Sequence, residues 1–169
     1  WLHMELNEKG VHLSFSEALT KVEHNGGKAN IVLASGRSIS ADMVILSAGI
    51  KPNTELAKAA GLSLGRKGHI IVDQMLTTND PDIFALGDAV EVTNFITNQR
   101  CVAALAAPAN KQGRIAAGNV LGNRIPYRGA QMTSVAKVFS KTIAATGLTE
   151  KVLKADGKKL HKDYEVIVS

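Results

Sequence analysis

The chain of 169 residues holds a single cysteine, Cys101. One thiol cannot build a disulfide framework, and no Cys-x-x-Cys metal or redox pair is possible within the chain. Aromatic residues make up only 4% of the chain, too few for the base-stacking platforms of single-strand nucleic-acid binders. Long apolar runs are also missing. The longest, such as Met43-Val44-Ile45-Leu46, fall far short of the about 20 residues that cross a bilayer, so no membrane partner is expected. His3, His12, His24, His69 and His161 are scattered without metal-ligand spacing, and no metal site is expected. The start, Trp1-Leu2-His3-Met4-Glu5, has neither the basic head nor the apolar stretch of a secretory signal, which fits a cytoplasmic protein.

What is present describes a folded chain. Hydrophobic residues reach 45% and charged residues 21%, a balance that buries a core and argues against disorder. The length allows one domain or two small incomplete ones. Charge is unevenly placed. Residues 1–123 carry 11 basic and 11 acidic side chains, so the whole net charge of +5 lies in residues 124–169. Lys151, Lys154, Lys158, Lys159 and Lys162 are spread without aromatic interleaving, the pattern of a solvated face rather than of a nucleic-acid surface.

Periodicity and punctuation outline the elements. Residues 1–9 read as a helix end stopped by Gly10. Val11, Leu13 and Phe15 alternate as in a strand. Residues 19–33 read as a hairpin around His24-Asn25-Gly26-Gly27, with a second turn at Ala34–Arg37. Met43–Leu46 is apolar without alternation, as in a strand covered on both faces. Asn53 or Thr54 caps a short helix that runs to Ala60 and stops at Gly61. Strands are expected at Ile70–Val72 and Ile83–Leu86, and a helix from about Val102 to Val120 that ends at Gly122. Pro108 either kinks that helix or marks its true first turn. Arg124–Arg128 reads as a linker. Strands at Ser134–Phe139 and Thr142–Thr146, a helix opened by Thr149-Glu150 and closed by Gly157, and a strand from Tyr164 to Val168 complete the outline.

The most informative stretch is Thr77-Thr78-Asn79-Asp80-Pro81-Asp82-Ile83-Phe84-Ala85-Leu86-Gly87-Asp88. A buried strand there would deliver Gly87 and Asp88 to its carboxyl edge, where open α/β sheets hold ligands. Gly87 admits a close approach to the backbone, and Asp88 offers two acceptor oxygens to a polyol. Read from the residues alone, an Asp after a Gly at a strand end is more often a turn or cap residue. The other candidates have plainer readings. Cys101, beside Val102 and Ala103, reads as a small buried apolar group. Lys111 and Arg114 read as solvated charge or as contacts for cofactor phosphate. Asp42 and Asp73 read as turn residues.

Three motifs in order carry a resemblance. Thr77–Asp88 resembles the second flavin-binding motif of the FAD-dependent pyridine nucleotide-disulfide oxidoreductases. Ala48-Gly49-Ile50-Lys51-Pro52-Asn53-Thr54 resembles the closing loop of their NAD-binding domain. Leu105-Ala106-Ala107-Pro108-Ala109-Asn110-Lys111-Gln112-Gly113-Arg114 resembles the helix under their flavin ring, in the form of the NADH oxidase, NADH peroxidase and coenzyme A-disulfide reductase branch. The similarity is firmest over residues 42–122. It implies an α/β fold with an α+β end: a partial three-layer FAD/NAD(P)-binding fold followed by the first part of an α+β dimerisation domain. The implied divisions are 1–67, the C-terminal part of the NAD(P)-binding domain; 68–123, the returning part of the FAD-binding domain; and 124–169, the start of the interface domain.

The resemblance also implies roles. Gly87 and Asp88 would meet FAD, with Asp88 accepting from a ribityl hydroxyl. The backbone of Ala104, Leu105, Ala106 and Ala107 would face the flavin ring, and Gly49 and Ile50 would lie against the nicotinamide cofactor. Implied cofactors are FAD and NAD(P)H, and the implied partners are a second copy of the chain and a small-molecule substrate: a disulfide, persulfide, coenzyme A derivative or oxygen. The family's Gly-x-Gly-x-x-Gly turns do not occur among the 15 glycines, and Cys101 lies too late to be the redox cysteine. The expectation is therefore a carboxyl-side piece of a longer flavoenzyme, inactive alone, with its catalytic cysteine elsewhere. The alternative reading is a non-catalytic α/β binding or interaction module.

Overall fold

A computed structural model describes residues 1–167. Their packing forms two units: Trp1–Ile50 with Lys137–Lys141, and Lys51–Ala136 with the residues from Thr142 onward.

In the first unit, helix α1 (Leu2–Glu8) ends at Lys9, and Gly10 turns the chain with φ +77. Strands β1 (Leu19–Asn25), β2 (Lys28–Leu33) and β3 (Ser38–Ala41) form an antiparallel sheet in that order. Gly26 and Gly27, at φ +57 and +86, make the two-residue turn between β1 and β2. Positive φ at both positions matches the right-handed twist of the flanking strands, and glycine adopts it without strain. Glu5 is buried and accepts from the backbone amide and the hydroxyl of Ser140. Those two bonds hold its carboxyl below the usual range.

Two expected strands of this unit do not form. Val11–Phe15 and Met43–Leu46 are irregular. Met43, Ile45 and Leu46 are 76%, 83% and 71% exposed, so a run that reads as covered on both faces is covered on neither. An apolar pattern nominates a strand, but a strand needs a neighbour to satisfy its backbone amides and carbonyls. Among the described residues neither segment pairs with one.

In the second unit, helix α2 (Glu55–Ala59) begins at Thr54, whose hydroxyl donates to the Gly68 carbonyl instead of capping the helix. Strands β4 (Ile70–Ile71), β5 (Val90–Thr93) and β6 (Arg100–Val102) form a mixed sheet. β4 and β5 are parallel, with Ile70 opposite Val90; β5 and β6 are antiparallel, with Val92 opposite Cys101. Helix α3 (Ala106–Val120) buries Gln112, Ile115, Ala116 and Asn119, one stripe at helical spacing. Ile115 and Ala116 join Val72, Leu76, Val90, Val92, Ala103, Tyr127 and Ala130 in the core.

Three expectations change here. The α3 helix starts at Ala106 rather than near Val102, because Arg100–Val102 is the strand that pairs with β5. Pro108 is accordingly the third residue of α3, in the first turn, where its missing N–H costs nothing. Ile83–Leu86 is not a strand. It makes one antiparallel bridge, Phe84 with Thr77, and Leu86 is 40% exposed. Between Val72 and that bridge the chain turns. The Asp73 carboxylate accepts from the amides of Met75 and Thr77, and Leu76 is wholly buried with φ +65.

Arg124–Arg128 is a packed loop rather than a free linker. Tyr127 is 4% exposed, and its amide donates to the Gln74 carbonyl. Ala130 exchanges hydrogen bonds with the end of β5, donating to Thr93 and accepting from Phe95. That close approach needs glycine at 129, at φ +104, where a Cβ would stand 2.5 Å from the Thr93 carbonyl oxygen.

The expected hairpin follows as β7 (Ser134–Val138) and β8 (Lys141–Ala145). Helix α4 (Glu150–Ala155) is opened by the Thr149 hydroxyl, which accepts from the Val152 amide, and Gly157 closes it with φ +76. The strand expected from Tyr164 is absent over 164–167, where only a bridge from Tyr164 to Leu160 forms. Val168 lies outside the described residues.

Candidate functional site

The second unit brings two of the sequence-marked segments together. Gly87–Ala89 is a single 3-10 turn that leads into β5, and it packs against α3. Asp88 therefore stands on a turn that precedes a strand, not at the carboxyl edge of one. Its side chain is exposed and accepts no hydrogen bond from the described residues. Gly87 has φ +81, and open space lies where its Cβ would be. The turn is pinned from the helix side: the Gly87 amide donates to Oε1 of Gln112 at 2.7 Å.

Ala104–Ala107 form the approach to α3 and its first residues. Leu105 occupies the N-cap position and has no side chain that can cap; the first turn holds no acidic residue. Within the described residues the amides of Ala106 and Ala107 donate to nothing. Pro108 has no amide to offer. An uncapped 15-residue helix therefore presents two donors and the positive end of its dipole to the surface. Helices of this length in water are ordinarily closed by a Ser, Thr, Asp or Asn at this position.

Beside the helix start lies a cleft of about 410 Å³. Phe95, Pro108, Tyr127 and Met132 give it apolar surface, and Lys111 and Arg128 place two cations on its wall. Lys111 and Arg114 are both exposed, as solvated charges are. The Gly87–Ala89 turn offers one carboxylate, the start of α3 two free amides, and the cleft beside that start two cations and apolar area. That combination fits a planar, partly anionic ring joined to a polyol and phosphates. It offers no nucleophile and no acid–base pair.

Gly49 and Ile50 belong to the first unit. Gly49 is at φ +102, and Ile50 is 63% exposed. Cys101 is half-buried against the core, and burial, followed by the nearby Glu91 charge, pushes its thiol above the usual range; Arg100 offsets this in part. Asp73 is a turn residue, as its two backbone bonds show, and exposed Asp42 pairs with Lys28. No group of three or more His, Cys, Asp or Glu able to hold a metal occurs among the described residues, and no helix is long and apolar enough to cross a membrane.

Gln112 was not singled out by residue type. The signal was its spacing: Gln112, Ile115, Ala116 and Asn119 follow i, i+3, i+4, i+7, which places a glutamine and an asparagine on the core face of α3.

Comparison with known proteins identifies the family and the fold. The NAD(P)H sulfur oxidoreductase (CoA-dependent) of Pyrococcus furiosus is 36% identical over 149 residues, which cover 88% of this chain and 31% of that protein. An NADH oxidase of Methanocaldococcus jannaschii is 35% identical over 144 residues, 85% of this chain and 32% of that protein. The crystal structure of reduced Bacillus anthracis CoADR-RHD superposes with a TM-score of 0.87 at 43% identity, covering 94% of this chain and 28% of that one. The chain thus spans about a third of the length of the curated relatives it matches. The architecture is that of the FAD- and NAD(P)-binding oxidoreductase fold, in part. Residues 1–113, two thirds of the sequence, match the pyridine nucleotide-disulphide oxidoreductases, and the chain belongs to that family.

Proposed function

We propose that the chain is part of a flavin-dependent oxidoreductase that passes a hydride from NAD(P)H to FAD and then electrons to a disulfide, a persulfide or oxygen. The observation that carries this reading is one helix, α3, whose start is uncapped and which packs through Gln112 on the Gly87–Ala89 turn that carries the unpaired carboxylate of Asp88. Bound FAD supplies the hydride-accepting and electron-passing chemistry. The chain's own residues hold and polarise it. The Asp88 carboxylate accepts from a ribityl hydroxyl, a charge-assisted bond. The amides of Ala106 and Ala107, with the helix dipole behind them, would contact the flavin and favour its reduced, negative form. Ala104 and Leu105 shape the backbone approach, and Gly87 leaves room for the ligand beside its backbone. Gly49 and Ile50 line the nicotinamide side.

The same reading assigns residues 1–67 to the NAD(P)-binding domain, 68–123 to the returning part of the FAD-binding domain and 124–169 to the start of an interface domain through which two copies pair. It places the protein in the cytoplasm, with a small-molecule substrate and without nucleic-acid or membrane partners. Cys101 is half-buried and its thiol is raised above the usual range, which makes it a poor nucleophile at neutral pH. What supports the acceptor class is the family and the sulfur and oxygen chemistry named for its relatives. The test is to purify the full chain as its gene encodes it and record its visible spectrum, then add NADH under anaerobic conditions. Bleaching of an oxidised-flavin spectrum, restored by a disulfide, persulfide or oxygen, is the expected result. A colourless protein that takes up no added FAD overturns the reading.

A further inference from the structure

Gln112 is among the most completely buried side chains of the chain, with no exposed surface. It is also the polar member of that set, and its Nε2 has no hydrogen-bond partner. A buried amide that leaves a donor unmade destabilises the fold. Methionine fills a similar volume without that cost. The glutamine makes one bond in return: its Oε1 accepts from the amide of Gly87 at 2.7 Å.

That bond is the side-chain hydrogen bond that ties the turn to α3. Nothing stands within 4 Å of where a Gly87 Cβ would lie, so that side of the turn is open. The next side chain is Asp88, which no described residue holds. Gln112 also sits on the same helix whose first amides are uncapped, about 9 Å along the axis from Ala106 at the usual rise per residue. One rigid element thus carries both the Ala106 and Ala107 donors and the group that sets the peptide before Asp88.

We propose that Gln112 is a positioning residue: through Gly87 it holds Asp88 in register with the start of α3, so that both reach one FAD. This rests on the flavin reading above. Gln112 touches no cofactor; its effect is transmitted by a single backbone bond.

The test compares Gln112→Met, Gln112→Glu, Asp88→Asn and the Gln112→Met/Asp88→Asn pair in the full chain, as apoprotein titrated with FAD. FAD affinity is read from flavin fluorescence, and ring placement from the visible circular dichroism of the bound flavin. Asp88→Asn is expected to weaken FAD about tenfold or more, the loss of a bond to a charged group. Gln112→Met is expected to weaken FAD by about tenfold through the same bond and to change the dichroism. The paired variant should lose no more than Asp88→Asn alone, because one effect passes through the other. Gln112→Glu keeps an acceptor oxygen at the same reach and should restore affinity and dichroism.

A merely structural role would lower the melting temperature of the apoprotein with affinity and dichroism unchanged, or give additive losses in the pair. Either result overturns the proposal. Should Gln112→Met fail to fold, Gln112→Asn takes its place: equally polar but too short to reach Gly87, it should bind FAD weakly where Gln112→Glu binds it well, and equal affinities overturn the proposal. If Asp88→Asn leaves FAD binding untouched, the flavin assignment of Asp88 falls as well. If Asp88→Asn weakens FAD and Gln112→Met does not, only the role of Gln112 falls.

Discussion

Asn119 shows how much one polar side chain can hold. It is buried in the last turns of α3, donates to the carbonyls of Met75 and Ile125, and accepts from the Ile125 amide. Those bonds fasten both the bend that carries Leu76 and the loop after the helix. Asn119→Leu would keep the volume and strand three backbone groups, so a loss of about 2–3 kcal/mol is expected. Urea denaturation of the two proteins measures it. Cys101 gives a second prediction at this scale. Burial and the Glu91 charge raise its pKa, so the reactive thiolate is scarce at pH 7 and becomes abundant only as pH rises past the ordinary thiol range. Labelling by an aromatic disulfide should be slower than for a free thiol at pH 7, and the gap should narrow with rising pH. Labelling as fast as a free thiol at pH 7 contradicts this.

At the scale of an element, α3 has the sequence of a helix left open at one end. Leu105 cannot cap, yet its φ of −141 and ψ of 139 are those of an N-cap residue. Leu105→Asp would supply the missing acceptor and favour the dipole, adding about 1 kcal/mol to the stability of the apoprotein. In the full chain the same carboxylate would occupy the amides assigned to the flavin, and FAD affinity should fall. Thermal melts of apoprotein beside FAD titrations check the two opposite signs. Affinity that stayed constant would show that these amides do not serve the ligand. The elements also differ in how well they announce themselves. The Gly26-Gly27 hairpin, the Thr149 cap and Gly157 are set by local backbone chemistry, and they form where the residues place them. β5 is short and polar at alternate positions, Val90-Glu91-Val92-Thr93, β6 is only three residues long, and they are strands because β5 pairs with β4 and β6.

For the molecule as a whole, the uncovered apolar surface has a consequence. Met43, Ile45 and Leu46 expose most of their area on one short segment, and at about 25 cal/mol per Å² such area favours association. The 169-residue chain alone is expected to self-associate, and the triple change Met43→Ser, Ile45→Lys, Leu46→Ser should lower its mass by light scattering at the same concentration. A strict monomer before the change would contradict this.

The amino-acid order by itself settled the local turns, the existence of the α3 helix, the strand pair within 134–146 and the motifs that mark the family, because each depends on a few adjacent residues and their backbone preferences. Tertiary structure alone decided which apolar runs became strands. Met43–Leu46 and Ile83–Leu86 read as core strands and are not, since a ladder needs a partner that no local pattern supplies. It also decided that Gln112, 25 residues from Gly87, would hold the turn before Asp88. Bonds of that span are closed by packing, so the physical reason they escape a linear reading is that the chain must fold before the two groups are neighbours.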